Sequence, residues 1–141
     1  MRTQIVLMPL NIFLVEDDPV IRETIVSVLT CVPGARVVAS EAEAAKASIW
    51  LRKHKDEWDV TVLDLFLSQG TGFDVLEAIE SQKDRERVIV LTNSPSAENR
   101  ELCKKLGAYA MFDKTLEIEQ FLDCCKFLEQ SAVRAKFDPL H

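Results

Sequence analysis

Five short runs of apolar residues divide the chain, and stretches of helical length with both polar and apolar residues separate them. Within the runs, apolar residues follow one another without alternation. In the clearest runs this pattern predicts strands buried on both faces of a parallel sheet. The predicted strands cover residues 11–15, 35–39, 60–63, 88–91 and 108–112.

The stretches that follow the runs carry apolar residues at helical spacing, so each predicts an amphipathic helix. Asp18 is the expected N-cap of the first helix and Pro19 its first residue, and Pro33-Gly34 ends it. Ser40 is expected to cap the second helix. The second to fifth helices are predicted over residues 40–55, 72–82, 96–106 and 115–130.

The alternation of strands and helices with short connections predicts an α/β fold. It corresponds to a (βα)5 unit with a doubly wound, five-stranded parallel sheet. We assign one domain to residues 10–130, an N-terminal extension to residues 1–9 and a short C-terminal tail to residues 131–141. Since 141 residues suit one domain of ordinary size, we expect no output domain.

Composition narrows the choice of partners and compartment. Hydrophobic residues make up 48% of the chain, which is enough for a buried core. The net charge is −6, so the electrostatic field of the whole molecule repels nucleic acid and anionic lipid. The four cysteines lack the spacing of zinc ligands and predict a reducing compartment. The apolar stretch at residues 5–15 is interrupted by Pro9 and Asn11 and is too short to span a bilayer. We therefore expect a cytoplasmic protein.

Polar side chains follow four of the predicted strands directly. Glu16 and Asp17 follow the first strand, Asp64 the third, Thr92 the fourth, and the fifth runs into Lys114. Because ligands in such folds bind beyond the carboxyl ends of the strands, these side chains should meet at one edge of the sheet. Clustered carboxylates need a cation, and oxygen ligands favour Mg²⁺. The handling of phosphate is the common chemistry of such a cluster.

The local sequences F-L-V-E-D-D-P, V-L-D-L-F-L, V-L-T-N-S and F-D-K carry these residues in order. In these motifs the chain resembles the receiver domains of response regulators in two-component signalling, of the stand-alone type. The likeness covers residues 10–130 and implies the flavodoxin-like strand order 2-1-3-4-5. It also implies a histidine kinase or a phosphotransfer protein as the upstream partner.

The resemblance implies a role for each matching residue. Asp64 corresponds to the phosphoacceptor, and Glu16 and Asp17 to the acidic pair that holds Mg²⁺ together with Asp64. The backbone carbonyl of Phe66 corresponds to a further metal ligand. Thr92 corresponds to the hydroxyl that bonds a phosphoryl oxygen, and Lys114 to the ammonium that offsets the charge of the phosphoryl group.

Thr115 and Met111 depart from the family pattern, and Phe66 bears on the lifetime of the phosphoryl group. Thr115 stands where a proline usually follows the lysine, so the backbone at Lys114 is expected to differ. Met111 stands at the usual position of a switch aromatic. In this family the side chain two residues after the acceptor lies where an attacking water would pass. Here it is Phe66, and because an apolar ring cannot orient water we expect slow loss of the phosphoryl group.

Signalling is expected through a face made by the fourth predicted helix, the fifth strand and the fifth predicted helix. This face carries Arg100, Lys104, Lys105 and Met111 and would contact a protein target or a second copy of the chain. The protein is accordingly expected to be a monomer or a weak homodimer. The chain accepts a phosphoryl group in this interpretation but is not a turnover enzyme.

Two alternatives remain open from the sequence. One is a scaffold of the pseudo-receiver type that binds partners without phosphorylation. The other is a phosphatase of the haloacid-dehalogenase type, which also uses an aspartate at a strand end. That family has a second aspartate two residues after the first, and Phe66 at this position speaks against it.

Overall fold

A computed structural model describes residues 9–137 of the chain, and their side chains as far as residue 130. Five strands and six helices follow one another along the described residues. Their bounds are β1 Leu10–Val15, α1 Pro19–Leu29, β2 Ala35–Glu41, α2 Ala44–Lys53, β3 Val60–Leu63, α3 Gly72–Ala78, α4 Gln82–Arg85, β4 Val88–Thr92, α5 Ala97–Lys105, β5 Ala110–Asp113 and α6 Ile118–Phe137.

The five strands form one parallel sheet in the order β2-β1-β3-β4-β5, which confirms the predicted fold. The register pairs Val15 of β1 with Leu63 of β3, and Leu63 in turn with Val90 of β4. Every residue of β3 and β4 is buried, in agreement with the continuous apolar pattern. β2, at the edge of the sheet, instead alternates between half-buried and exposed residues.

Helices cover both faces of the sheet, so the core has two halves. On one face α2, α3 and α5 pack against the strands through apolar side chains that include Ala47, Leu76 and Cys103. On the other face α1 and α6 pack through side chains that include Ile25 and Phe121. This arrangement buries the strands and leaves their carboxyl ends open at one edge. Within residues 9–137, no helix combines the length and the apolar character needed to cross a bilayer.

The predicted start of the second helix was wrong. β2 continues through Glu41, and Ser40 lies in the strand, paired with Leu14 of β1. α2 begins only at Ala44, and its N-cap residue Glu43 makes no side-chain cap. The Gln69 carbonyl accepts a hydrogen bond from the Ala44 N–H instead, at an N–O distance of 3.0 Å. Pairing within the sheet therefore overrides the local capping signal.

The third predicted helix, residues 72–82, is two helices in the structure. α3 ends at Ala78, and Ile79 has extended dihedrals. Ser81 then caps the short helix α4 by accepting a hydrogen bond from the Asp84 N–H. The Arg85 guanidinium donates to the Ile79 carbonyl and satisfies the acceptor that the break leaves free.

The last helix also differs from the prediction at both ends. α6 begins at Ile118 and not near Thr115, and it extends to Phe137, past residue 130. Its start is delayed because the Asp113 carboxylate accepts hydrogen bonds from the backbone N–H groups of Thr115 and Leu116. The division into an extension, a domain and a tail stays a prediction, and residues 1–8 lie outside the described part of the chain.

Candidate functional site

The carboxyl ends of β1 and β3 bring three acidic side chains together. Glu16 and Asp64 each follow one member of the paired residues Val15 and Leu63, so they lie side by side. One carboxylate oxygen from each of Glu16, Asp17 and Asp64 lies within 4.8 Å of the others. Glu16 is 1% exposed and Asp64 is 8% exposed, so Asp64 is the more accessible of these two buried carboxylates.

Lys114 reaches into this acidic cluster from the end of β5. Its ammonium donates hydrogen bonds to the Glu16 carboxylate and to Asp64 Oδ2, the latter at 2.8 Å. The Lys114 backbone N–H donates to the Thr92 carbonyl at 3.0 Å, which fixes this end of β5 beside β4. Burial alone would lower the pKa of Lys114, but the hydrogen bonds to Asp64 and Glu16 raise it above its ordinary value. The side chain is therefore a charged ammonium at neutral pH.

The two members of the acidic pair have different environments. Burial raises the pKa of Glu16, and the hydrogen bond from Lys114 offsets only part of that rise. Burial acts on the pKa of Asp17 in the same direction. The interaction of Asp17 with the Glu16 side chain and the hydrogen bond that Asp17 Oδ2 accepts from the Ser68 N–H outweigh it, and the pKa of Asp17 lies below its ordinary value.

This donor set fits a hard divalent cation. The cluster contains three carboxylates and a single ammonium, which contacts two of them, so it carries an excess of negative charge when its acids are ionised. The ligand atoms on offer are all oxygens, which suits Mg²⁺ better than a soft metal. The four predicted residues Glu16, Asp17, Asp64 and Lys114 thus lie together, as the positions at the strand ends indicated.

Thr92 lies at the end of β4 and is 1% exposed. Its hydroxyl oxygen accepts a hydrogen bond from the Ser94 N–H at 3.1 Å. Among the described residues, no hydrogen bond joins this hydroxyl to Asp64. A hydroxyl that accepts one hydrogen bond still has its own proton to donate, so the group remains available for a ligand in the pocket.

Phe66 lies two residues after Asp64 with its side chain 49% exposed. The ring packs edge to face against Phe73, with 6.2 Å between the ring centroids. Its backbone forms an isolated antiparallel bridge with Thr71, which closes the loop between β3 and α3. The role of the Phe66 carbonyl as a metal ligand stays a prediction.

Gly72 permits a close approach that sequence reasoning missed. The Gly72 N–H donates to the Leu65 carbonyl at 2.7 Å. A Cβ atom at residue 72 would lie 2.3 Å from the Asp64 carbonyl oxygen and 3.0 Å from the Leu65 Cα. The start of α3 therefore packs directly on the backbone that carries Asp64. The only sign of this contact in the sequence was a glycine at the first position of the predicted helix, where other residues are usually found.

The turn that carries Lys114 has a hydrogen-bond network that the sequence did not reveal. Asp113 Oδ1 accepts from the Thr115 N–H at 2.7 Å and from the Leu116 N–H at 3.0 Å. Glu117 Oε1 accepts from the Asp113 N–H at 3.0 Å and from the guanidinium of Arg100, on α5, at 3.1 Å. The only sequence signal was an aspartate two residues before a threonine, which is typical of an Asx turn.

Comparison with known protein families assigns this chain to one of them. The sequence model of the response regulator receiver domain family matches residues 12–126, so the chain belongs to this family. Receiver domains are signalling domains that bind Mg²⁺ at an acidic pocket of this kind.

Individual relatives agree with this assignment. The acid tolerance regulatory protein ActR of Rhizobium meliloti is 37% identical over 87 residues, which are 61% of this chain and 42% of ActR. The nitrate/nitrite response regulator protein NarP of Escherichia coli is 32% identical over 91 residues, 64% of this chain and 41% of NarP. The probable C4-dicarboxylate response regulator DctR of Bacillus subtilis is 26% identical, over 78% of this chain and 48% of DctR. The chain thus spans about half or less of the length of these relatives.

Solved structures share the fold. A chain of the CheX-CheY-BeF3-Mg+2 complex from Borrelia burgdorferi superimposes with a TM-score of 0.75 at 20% identity, over 86% of this chain and 90% of its own length. The response regulator domain of Thermotoga maritima CheB superimposes with a TM-score of 0.70 at 19% identity, over 93% and 99% of the two chains. At these identities the likeness establishes the fold alone.

Proposed function

We propose that the chain accepts a phosphoryl group on Asp64 from a histidine kinase or a phosphotransfer protein of the cytoplasm. One observation carries this proposal: the Lys114 ammonium joins Asp64 to Glu16 in a pocket that also holds Asp17. Glu16, Asp17 and Asp64, with the backbone carbonyl of Phe66, would hold Mg²⁺. The ion would supply positive charge that offsets the charge of the phosphoryl group.

The chemistry requires only a nucleophile and charge stabilisation from the chain. A carboxylate oxygen of Asp64 attacks phosphorus, an O–P bond forms and the N–P bond to the donor imidazole breaks, with its electron pair left on the nitrogen. The Lys114 ammonium, already 2.8 Å from Asp64, then binds a phosphoryl oxygen. The Thr92 hydroxyl donates its proton in a hydrogen bond to another phosphoryl oxygen while it still accepts from Ser94.

The donor must bring a phosphorylated imidazole to Asp64, so its docking surface must surround the mouth of the pocket. Three large apolar side chains are exposed shortly after the ends of β1, β3 and β5. Val20, in the first turn of α1, is 70% exposed, and Phe66 and Leu116, in the loops after β3 and β5, are 49% and 78% exposed. Their burial by a partner would remove apolar area from water, which favours association. These side chains are our proposed contacts for the upstream protein.

The output would be a population shift at the face formed by α5, β5 and α6. The aspartyl phosphate draws the Thr92 hydroxyl towards it, and the loop that leads into α5 moves with it. The α5 part of this α5–β5–α6 face carries the basic side chains of Arg100, Lys104 and Lys105 and the half-exposed Leu102. Tyr109, also half-exposed, directly precedes β5. We propose that it contacts a protein target or a second copy of the chain.

Incubation of the protein with Mg²⁺ and a small phosphodonor such as acetyl phosphate tests the proposal. Intact mass should rise by one phosphoryl group, and the rise should disappear when Mg²⁺ is left out. Failure to form any adduct would identify a scaffold that works without phosphorylation. Continuous release of phosphate at enzyme-like rates would instead identify a phosphatase.

Replacement of Asp17 by asparagine should weaken Mg²⁺ binding. Because the pKa of Asp17 lies below its ordinary value, this carboxylate is ionised near neutral pH, and asparagine removes that charge. Loss of a hydrogen-bonding partner around a metal ligand costs tenfold or more in affinity, so the loss of a ligand charge should cost at least about tenfold. Titration calorimetry measures the change. Asp18→Asn is the matched control, because Asp18 caps α1 and asparagine preserves a cap.

Replacement of Phe66 by asparagine should shorten the lifetime of the phosphorylated protein by about tenfold, since a polar amide can orient an attacking water that the ring cannot. The lifetime is measured from the decay of the mass adduct after the phosphodonor is removed. Phe127→Asn makes the same change at an exposed phenylalanine of α6 and should leave the lifetime unaltered. An unchanged lifetime in Phe66→Asn would refute this interpretation of the ring.

A further inference from the structure

Lys114 occupies a turn in which the peptide groups on both sides are held by side chains. On the C-terminal side, the Asp113 carboxylate binds the N–H groups of Thr115 and Leu116. On the N-terminal side, the Glu117 carboxylate binds the N–H group of Asp113. The direction in which the Lys114 side chain leaves the backbone is therefore set by two carboxylates that do not touch its ammonium.

Arg100 connects this turn to α5. Its guanidinium donates to the Glu117 carboxylate at 3.1 Å and to the Met111 carbonyl at 3.4 Å. Arg100 lies in the first turns of α5, next to Asn99, whose amide donates to the Ser94 carbonyl at 2.8 Å. The loop that contains Ser94 also donates to the Thr92 hydroxyl. Hydrogen bonds thus join the start of α5 to both sides of the pocket.

We propose that Asp113, Glu117 and Arg100 are positioning residues for Lys114. They hold its ammonium against Asp64 and Glu16 and tie this position to the start of α5, on the α5–β5–α6 face. The inference rests on the proposed function, because it deepens the role of the same pocket. None of the three makes a hydrogen bond to Glu16, Asp17 or Asp64 among the described residues, whereas Lys114, the neighbour of Asp113 in the chain, binds two of these carboxylates. The Lys114→Ala chain separates this route from the one through Thr92.

This arrangement predicts two effects of opposite sign when the turn is released. An ammonium that leaves Asp64 and Glu16 no longer repels a divalent cation bound by the same carboxylates, so Mg²⁺ should bind more tightly. The same departure removes a positive charge from the phosphoryl group, so phosphorylation should become slower. A substitution that merely loosened the fold would weaken Mg²⁺ binding and slow phosphorylation together.

The test compares Asp113→Ala with Asp113→Asn, each in the wild-type chain and in a Lys114→Ala chain. Alanine removes the acceptor for Thr115 and Leu116, whereas asparagine keeps an oxygen in the same place. Mg²⁺ affinity is measured by titration calorimetry without a phosphodonor. The rate of phosphorylation is measured by intact mass at saturating Mg²⁺ with acetyl phosphate.

The wild type, Asp113→Ala, Lys114→Ala and the chain with both alanines form a double-mutant cycle, and residues in contact in such cycles typically change each other's effect on an equilibrium constant by severalfold. Asp113→Ala should therefore tighten Mg²⁺ binding by roughly threefold and slow phosphorylation by about as much. Asp113→Asn should stay close to wild type in both measurements. In the Lys114→Ala chain, Asp113→Ala should cause no further change in Mg²⁺ affinity. Arg100→Met should likewise tighten Mg²⁺ binding and slow phosphorylation. Because the Arg100 side chain is exposed, this variant replaces Asp113→Ala in the test if Asp113→Ala unfolds at a lower temperature than the wild type.

Two outcomes overturn the inference. One is weaker Mg²⁺ binding in both Asp113→Ala and Arg100→Met. The other is an equal effect of Asp113→Ala with and without Lys114. The Mg²⁺ measurement needs no phosphoryl transfer, so the two proposals fail separately. A wild-type chain that takes up no phosphoryl group would refute the proposed function, while the Mg²⁺ cycle would still decide whether these residues position Lys114.

Discussion

Asp64→Asn should abolish uptake of the phosphoryl group from acetyl phosphate in the presence of Mg²⁺. The substitution keeps the size of the side chain and an oxygen for Lys114, so folding should be preserved, but an amide cannot act as the nucleophile. Glu16 is the other carboxylate that binds Lys114, and at 1% exposure it is closed to a donor. Intact mass after incubation is the measurement, and we expect no adduct.

The control for this substitution is Asp18→Asn. Asp18 lies two residues from Glu16, but its carboxylate accepts hydrogen bonds from the N–H groups of Val20 and Ile21 at the start of α1. Since asparagine caps helices as well as aspartate does, this variant should take up one phosphoryl group like the wild type. Hydroxylamine should remove the group, as expected of an acyl phosphate. An adduct on Asp64→Asn would place the acceptor elsewhere.

Gly72→Ala should have the largest effect on folding stability. The added methyl group would lie 2.3 Å from the Asp64 carbonyl oxygen, and the nearest atoms are all backbone atoms of Asp64 and Leu65, which cannot move aside as the end of a side chain could. Overpacking of this kind lowers the free energy of unfolding by about 2 to 3 kcal/mol. Because the clash acts on the backbone of Asp64, phosphorylation should also slow, by about a hundredfold for a shift near 1 Å.

Gly107→Ala separates the two effects of Gly72→Ala. Gly107 has a φ of +93°, and an added Cβ would meet the end of the Gln82 side chain, which can move. Left-handed backbone strain should lower the free energy of unfolding by about 1 kcal/mol. Gly107 lies before β5, at the edge of the sheet opposite Asp64, so phosphorylation should keep its wild-type rate. Urea unfolding and phosphorylation rates are measured for both variants. A wild-type rate in Gly72→Ala would contradict the close approach.

The fold was predictable because the strands of a parallel sheet are buried on both faces and read as apolar runs. β3 was predicted with its observed bounds, since all four of its residues are buried. The residues directly after such runs must lie at one edge of the sheet, and this placed Asp64 and Lys114 together although they are 50 residues apart in the chain. The sheet pattern therefore carried the main part of the site.

The errors arose where tertiary contacts compete with local signals. Ser40 and Glu43 have the spacing of a capping box, but pairing with Leu14 keeps Ser40 in β2. The apolar spacing of the third predicted helix continues past Ala78, yet Arg85 binds the Ile79 carbonyl and stabilises the break. The partner of Ser40 lies on β1 and that of Ile79 lies on α4, so the helical pattern itself does not predict either contact.

The same reason explains what was missed at the site. The hydrogen bond between Arg100 and Glu117 depends on how α5 packs against the turn after β5, and the spacing of apolar residues along the sequence does not predict that packing. The close approach at Gly72 likewise depends on the path of the loop after Asp64. Patterns along the chain identify which side chains face a common edge, but they do not give the contacts that orient those side chains.

The pairing of Val15 with Leu63 has a consequence for how this chain could diversify. Glu16 and Asp64 come directly after these paired residues, so the spacing between neighbouring strands, about 4.8 Å, largely sets the separation of their backbones. Insertions in the connecting loops leave that spacing untouched, whereas a slip of one residue would turn one carboxylate to the opposite side of the sheet. Loops that recognise different partners can therefore be exchanged around an unchanged pair of acids.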